Sequence, residues 1–247
     1  MEDYDTIEIA YVLDGEPSIA IYKSLFEVFT EYLGLDYEED VYSIRARQIN
    51  GYNNNVDTTG KYDDVIQTLS SYPNWSVEIP LSYDELTVTR TIDSHNLTSK
   101  PSCESIYFST WIYGLKDTDD EELLETVKQY RRNFAEIHAQ AANTLEPKWG
   151  FGRRGGLAIG EDEAIEELAT KTRPPLYEYN VFRAETVEAI GREQVLSAPA
   201  YYVEELDWGG VFMAVTEPPK QCGHECQQCD EVADQLGLSL AKTERYH

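Results

Sequence analysis

Six apolar residues, Leu123, Val127, Tyr130, Phe134, Ile137 and Ala141, recur at three- and four-residue intervals. That spacing places them on one stripe of a long α-helix. Ahead of the stripe, Thr118 and Glu121 have the separation of a capping box, and Asp119, Asp120, Glu121 and Glu122 set negative charge against the positive end of the helix dipole. A helix with a single apolar stripe must bury it against another layer, so the rest of the chain has to supply one.

The other segments read as that layer. "TIEIAYVL" (6–13) predicts an opening strand, and Tyr22, Leu25, Phe26, Phe29, Tyr32 and Leu33 predict a helix closed by Gly34. Residues 41–49 predict a second strand, followed by "NGYNNNVDTTG" as a surface loop and "YDDVIQTLSSY" as a short helix. "WSVEIPL" with "ELTVTRTI" predicts a hairpin, and "SIYFSTWIYGL" another strand before the long helix. Beyond that helix the pattern predicts a glycine-rich loop at "GFGRRG", a helix near 161–170 and an extended "LYEYNVF". A helical turn at "AETVEAIG" then stops at Gly191. "AYYVEEL", "DWGG" and "VFMAVTE" predict a hairpin in which Gly209 and Gly210 take positive φ, and "CDEVADQLG" a last helix ended by Gly237.

The expected class is α+β: a mixed, mostly antiparallel sheet with helices packed on one face. Both 1–98 and 99–217 open with a strand followed by a helix, so the 1–217 domain divides into two possible halves. Residues 218–247 form a separate cysteine- and histidine-bearing knuckle with the short terminal helix.

Charge excludes some functions. Twenty basic residues against 46 acidic ones leave a net charge of −26, spread through nearly every segment. Such a surface repels nucleic acid and anionic membranes. A nucleic-acid mimic concentrates its acids on one face, whereas a halophilic protein distributes them, because the Debye length falls to about 3 Å in 1 M salt. The even spread, the shortage of lysine relative to arginine and the 18 tyrosines favour salt adaptation. No apolar run is long enough to span a bilayer and the N-terminus carries no signal-sequence pattern, so a cytoplasmic location with reduced thiols is expected.

Two motifs carry chemistry. "CGHECQQC" supplies four soft donors, Cys222, His224, Cys226 and Cys229, which suit a closed tetrahedral zinc knuckle of structural type. Cys103 is an alternative remote ligand. Too little chain follows Cys229 for the barrel of a radical S-adenosylmethionine enzyme, and a RING finger needs further cysteines. "GFGRRG" satisfies G-x-G-x-x-G, but it leaves a helix instead of a strand, the wrong context for a dinucleotide site. Its adjacent Arg153 and Arg154 leave open an enzyme acting on a small anionic ligand held near the loop at 150–156. His138, beside Ile137 on the stripe, reads as a packed core histidine. No nucleophile elbow, P-loop or H-E-x-x-H pattern occurs.

The "GREQVLSAP" run, the "VEELDWGGVFMAVTE" hairpin and the closing "LGL" helix resemble the C-terminal part of a bacterial family related to the immunity protein 52 group of polymorphic toxin systems. The resemblance covers about the last quarter of the chain, with the knuckle as a departure from it. It implies a non-enzymatic protein that binds and neutralises a protein toxin, or a relative of such proteins put to other use; the exclusion of nucleic-acid and membrane partners rests on charge alone.

Overall fold

A computed structural model describes residues 6–33, 42–47, 56–60, 62–71, 74–80, 85–91, 104–155, 157, 165–219 and 226–241. Among these residues ten strands form one sheet: β1 (Thr6–Val12), β2 (Tyr42–Arg47), β3 (Val56–Gly60), β4 (Asn74–Pro80), β5 (Glu85–Thr91), β6 (Ser105–Trp111), β7 (Trp149–Arg154), β8 (Tyr179–Phe182), β9 (Tyr202–Glu205) and β10 (Val211–Ala214). Their spatial order is β3-β2-β4-β5-β6-β1-β7-β8-β10-β9, with every named neighbour pair antiparallel. β1 lies in the middle, paired with β6 on one side and β7 on the other, so the sheet is continuous across position 98.

Seven α-helices among the described residues accompany it: α1 (Ile19–Leu33), α2 (Tyr62–Ser71), α3 (Glu121–Leu145), α4 (Ile165–Thr170), α5 (Ala184–Ile190), α6 (Arg192–Leu196) and α7 (Gln227–Leu236). The α+β class therefore holds. The layering follows from strand alternation. Ile7, Ile9 and Tyr11 of β1, Tyr179 and Val181 of β8, and Phe212 and Ala214 of β10 enter the main core with the buried faces of α1, α2 and α3. Their alternate neighbours point the other way. Ala10 and Val12 pack with Trp149, Phe151 and α4, while Phe182, Val211 and Met213 pack with α5, α6 and α7. Helices thus cover both faces at the C-terminal end of the sheet, where the sequence pattern predicts only one covered face. The reason is that β7, β8 and β10 are buried at every position but Arg154, with β10 apolar throughout and β8 apolar except at Asn180, as strands covered on both sides must be.

Three local expectations change. Val56–Gly60 pairs with β2 as an edge strand instead of forming a loop. The "GFGRRG" segment, up to Arg154, belongs to β7: it pairs with β1 throughout and, from Gly150 to Gly152, also with β8. Its glycines are set by crowding: a Cβ on Gly150 would lie 2.6 Å from Val181 Cγ2, and one on Gly152 would lie 2.6 Å from Ile9 Cγ1 and 2.8 Å from the Glu8 carbonyl oxygen. The N-cap of α3 is Asp120, whose Oδ1 accepts from the amides of Glu122 at 3.0 Å and Leu123 at 3.3 Å. Thr118 acts one step earlier, its Oγ1 accepting from the Asp120 amide. Starting the helix there leaves Leu123 48% exposed and moves the buried stripe to Val127, Arg131, Phe134, Ala135, His138, Ala142 and Leu145, together with Ile137, Ala139 and Ala141.

In the late hairpin the turn is built as expected at Gly209, with φ of 83°, but Gly210 does not share the left-handed conformation. Its hydrogen is needed because the Trp208 ring lies 2.2 Å from where a Cβ would stand. Gly237 ends α7 in the left-handed region, as its position in the sequence predicts.

Candidate functional site

Arg153 and Arg154 are consecutive residues of β7, and consecutive strand residues face opposite sides of the sheet. Arg153 stands on the α4 face, level with Glu8 on β1, and is buried. Arg154 points to the α3 face, where its Nη1 donates to the Pro219 carbonyl at 3.2 Å. The two guanidinium groups are divided by the sheet and cannot converge on one small anion.

A row of buried polar groups surrounds the end of β7. Glu178, fully buried just ahead of β8, accepts the Arg154 amide at 3.2 Å through Oε2, and its Oε1 lies 3.5 Å from the Thr216 hydroxyl. Glu8 accepts the Leu157 amide at 2.9 Å. Two residues on from Glu178, Asn180 closes a reciprocal pair with the Tyr177 backbone, at 2.8 Å in each direction. These contacts satisfy backbone groups where the chain leaves the strands, which is structural chemistry. The sequence offers one signal for them: Glu178 is a lone acid at the apolar period of "LYEYNVF", a position that strand alternation buries.

On the opposite face, Arg131 of α3 is a second buried cation missed by the apolar-stripe reading. Its Nε donates to the Leu115 carbonyl at 2.8 Å, its Nη2 meets Asp117 at 2.8 Å, and its Nη1 lies 3.9 Å from Glu217. Leu115, Arg131, Phe134, Tyr179, Tyr201 and Glu217 line a crevice at this point, too narrow to admit water. A shallow, open shelf between α6 and α7 is lined by Arg192, Gln194 and Gln235, among others. Neither is an enclosed pocket holding Arg153 or Arg154 with an acid or histidine.

His138 is a core residue, as its place beside Ile137 predicts. It packs edge-on against Phe108 and Phe134, and the Tyr11 hydroxyl lies 3.1 Å from its Nδ1 and 2.9 Å from its carbonyl oxygen. The single hydroxyl proton goes to the carbonyl, so Nδ1–H donates to Tyr11 Oη and Nε2 keeps a bare lone pair, with no partner. Burial lowers the His138 pKa from 6.5 to about 3 and pushes the Tyr11 phenol well above its ordinary value. Both are neutral at ordinary pH and fully buried.

Of the four predicted zinc ligands, Cys222 and His224 lie outside the described residues, as does Cys103. Cys226 and Cys229 are brought together at the start of α7, joined as a disulfide where free thiols were expected. Cys226 is the N-cap, its Sγ accepting the Cys229 amide at 3.3 Å. Among the described residues no group of three or more histidine, cysteine, aspartate or glutamate side chains is placed to hold a metal ion. The two described sulfurs fit half of a tetrahedral site when reduced, since both project from one helical turn.

Fold and site together describe an α+β protein built on one wide antiparallel sheet. No protein-family model matches the chain, and no curated protein is significantly similar to it. Among solved structures it is similar to the Pseudomonas aeruginosa T6SS protein PA0821, with a TM-score of 0.56 and 11% identity, over 98% of this chain and 76% of that one. At that identity the likeness is one of fold. Among the described residues, no helix is long and apolar enough to cross a membrane.

Proposed function

We propose that the chain is a non-enzymatic binding protein of the immunity kind, which neutralises a protein toxin by covering its working surface. The observation that carries this reading is the likeness in fold, across nearly the whole chain, to the T6SS protein PA0821. The exposed start of α3 suits such a role: Leu123 stands among the exposed acids Asp119, Asp120, Glu121, Glu122 and Glu125. A leucine rimmed by carboxylates fits a partner with an apolar contact inside a basic border. The opposed directions of Arg153 and Arg154 weigh against the alternative, an enzyme acting on a small anionic ligand.

We further propose that Cys222, His224, Cys226 and Cys229 hold a structural zinc ion in the reduced protein, working in a cytoplasm rich in salt. Support comes from the donor set and from the shared helical turn of the last two sulfurs.

The test is protection. The protein encoded beside this chain is expressed alone and together with it, and cell growth and co-purification are followed. Rescue of growth with a stoichiometric complex, weakened by Leu123→Asp, is the expected outcome. A harmless neighbour, or a toxic one against which co-expression gives neither protection nor complex, defeats the reading.

A further inference from the structure

We propose that Cys226 and Cys229 form a redox-active pair that cycles between disulfide and dithiol by exchange with low-molecular-weight disulfides. The two sulfurs are joined across a C-x-x-C spacing on the first turn of a ten-residue helix. A crosslink over two intervening residues removes little freedom from the unfolded chain, so stapling the fold is a poor reason for it.

The pair also has polarity. Cys226 is 6% exposed and Cys229 wholly buried, so an incoming reagent meets Cys226 first and Cys229 stands behind it as the resolving sulfur. The Cys229 amide points at Cys226 Sγ. An N–H of the first helical turn therefore faces the sulfur that carries negative charge whenever the bond opens.

Other contacts seat α7. Val232, Ala233 and Leu236 are buried against α5, α6 and the sheet, and Gln228 Nε2 donates to the Pro199 carbonyl at 3.0 Å. Gln235 donates to the Gln194 carbonyl at 3.0 Å, and Arg173 to the Leu236 carbonyl at 3.2 Å. Opening the S–S bond leaves all of these in place, so both redox states are compatible with one fold.

In the oxidising direction the Cys226 thiolate attacks one sulfur of an external disulfide, RSSR, forming a mixed disulfide and releasing RS⁻. The Cys229 thiolate then attacks the Cys226 sulfur, closes the protein disulfide and expels the second RS⁻. Two electrons pass from the protein to RSSR, and the two thiol protons end on two RSH molecules. The exchange goes beyond the binding function and stands without the zinc reading. One consequence rests on that reading: oxidation leaves no thiolate at either position, so it releases the ion.

The full chain, stripped of metal by a chelator, is equilibrated in glutathione buffers from fully reducing to fully oxidising, quenched, alkylated and mapped by peptide mass. The expected result is a joint shift of Cys226 and Cys229 from alkylated to crosslinked in one two-electron step, with far-UV circular dichroism unchanged. In Cys229→Ser, Cys226 is expected to accumulate as a one-to-one glutathione adduct that wild type does not retain. The proposal is overturned if both cysteines stay alkylatable at the most oxidising ratio, if the bond survives the most reducing one, or if either sulfur pairs instead with Cys222 or Cys103. Zinc content of the reduced protein is measured separately. Its absence removes the knuckle and leaves the exchange, whereas a missing disulfide removes the exchange and leaves the knuckle.

Discussion

Replacing His138 isolates one proton's contribution to stability. In the folded protein the imidazole is neutral, with a pKa of about 3 against 6.5 when exposed, because a second proton on Nε2 would be buried with no acceptor. The groups packed around it, Tyr11, Phe108 and Phe134, are uncharged, so no neighbouring carboxylate offsets this cost. Below pH 6.5 the unfolded chain takes up a proton that the folded chain refuses, and stability falls with pH. The contribution is fully present above pH 6.5, and linkage gives a loss of about 2 kcal/mol between pH 7.5 and pH 5. Many carboxylates titrate in the same range, so the informative quantity is a difference. Urea unfolding of wild type and His138→Phe is measured at several pH values and one salt concentration. The substitution has its own offset, because Tyr11 Oη loses the Nδ1–H donor while still donating to the residue 138 carbonyl. That offset does not vary with pH, whereas the stability gap between the two proteins should move by about 2 kcal/mol in the mutant's favour on acidification. Parallel curves from pH 7.5 to 5 would refute the buried, neutral assignment.

Tyr11→Phe should destabilise by about 1–3 kcal/mol in denaturant unfolding, since it strands the buried Nδ1–H and removes a second hydrogen bond from the His138 carbonyl, which keeps its partner within α3. Gly152→Ala should cost about 1–3 kcal/mol or more, because the new methyl meets β1 backbone as well as Ile9, and thermal melting would register it. Asp120→Ala removes the α3 cap and should cost about 1 kcal/mol, with faster amide exchange confined to the first turn of that helix. If the acid excess reflects salt adaptation, the melting temperature should rise steeply between low and molar salt as carboxylate repulsion is screened. A flat salt profile would instead point to acids gathered for a partner.

Much of the architecture was legible because it depends on local periodicity. Ile7, Ile9 and Tyr11 at period two, Tyr22, Leu25, Phe26 and Phe29 at helical spacing, and the turn at Gly209 all appear where their patterns place them, since each element's burial repeats along its own chain. By itself the sequence also determined the α+β class, the long helix and the core role of His138. What it could not determine depends on neighbours distant in the chain. Gly150 and Gly152 read as a loop, but it is the approach of Ile9 and Val181 from adjacent strands that forbids a side chain there and makes the segment a central strand. Arg153 and Arg154 read as one cationic pair until the pleat of β7 sends them to opposite faces. Arg131 lies among apolar positions of α3, and only the carboxylates of Asp117 and Glu217, with the Leu115 carbonyl, explain how a buried cation is tolerated. Periodicity says which way a residue faces; tertiary structure alone says what it meets, because the cost of a buried charge or a crowded methyl is set by atoms the local pattern does not contain.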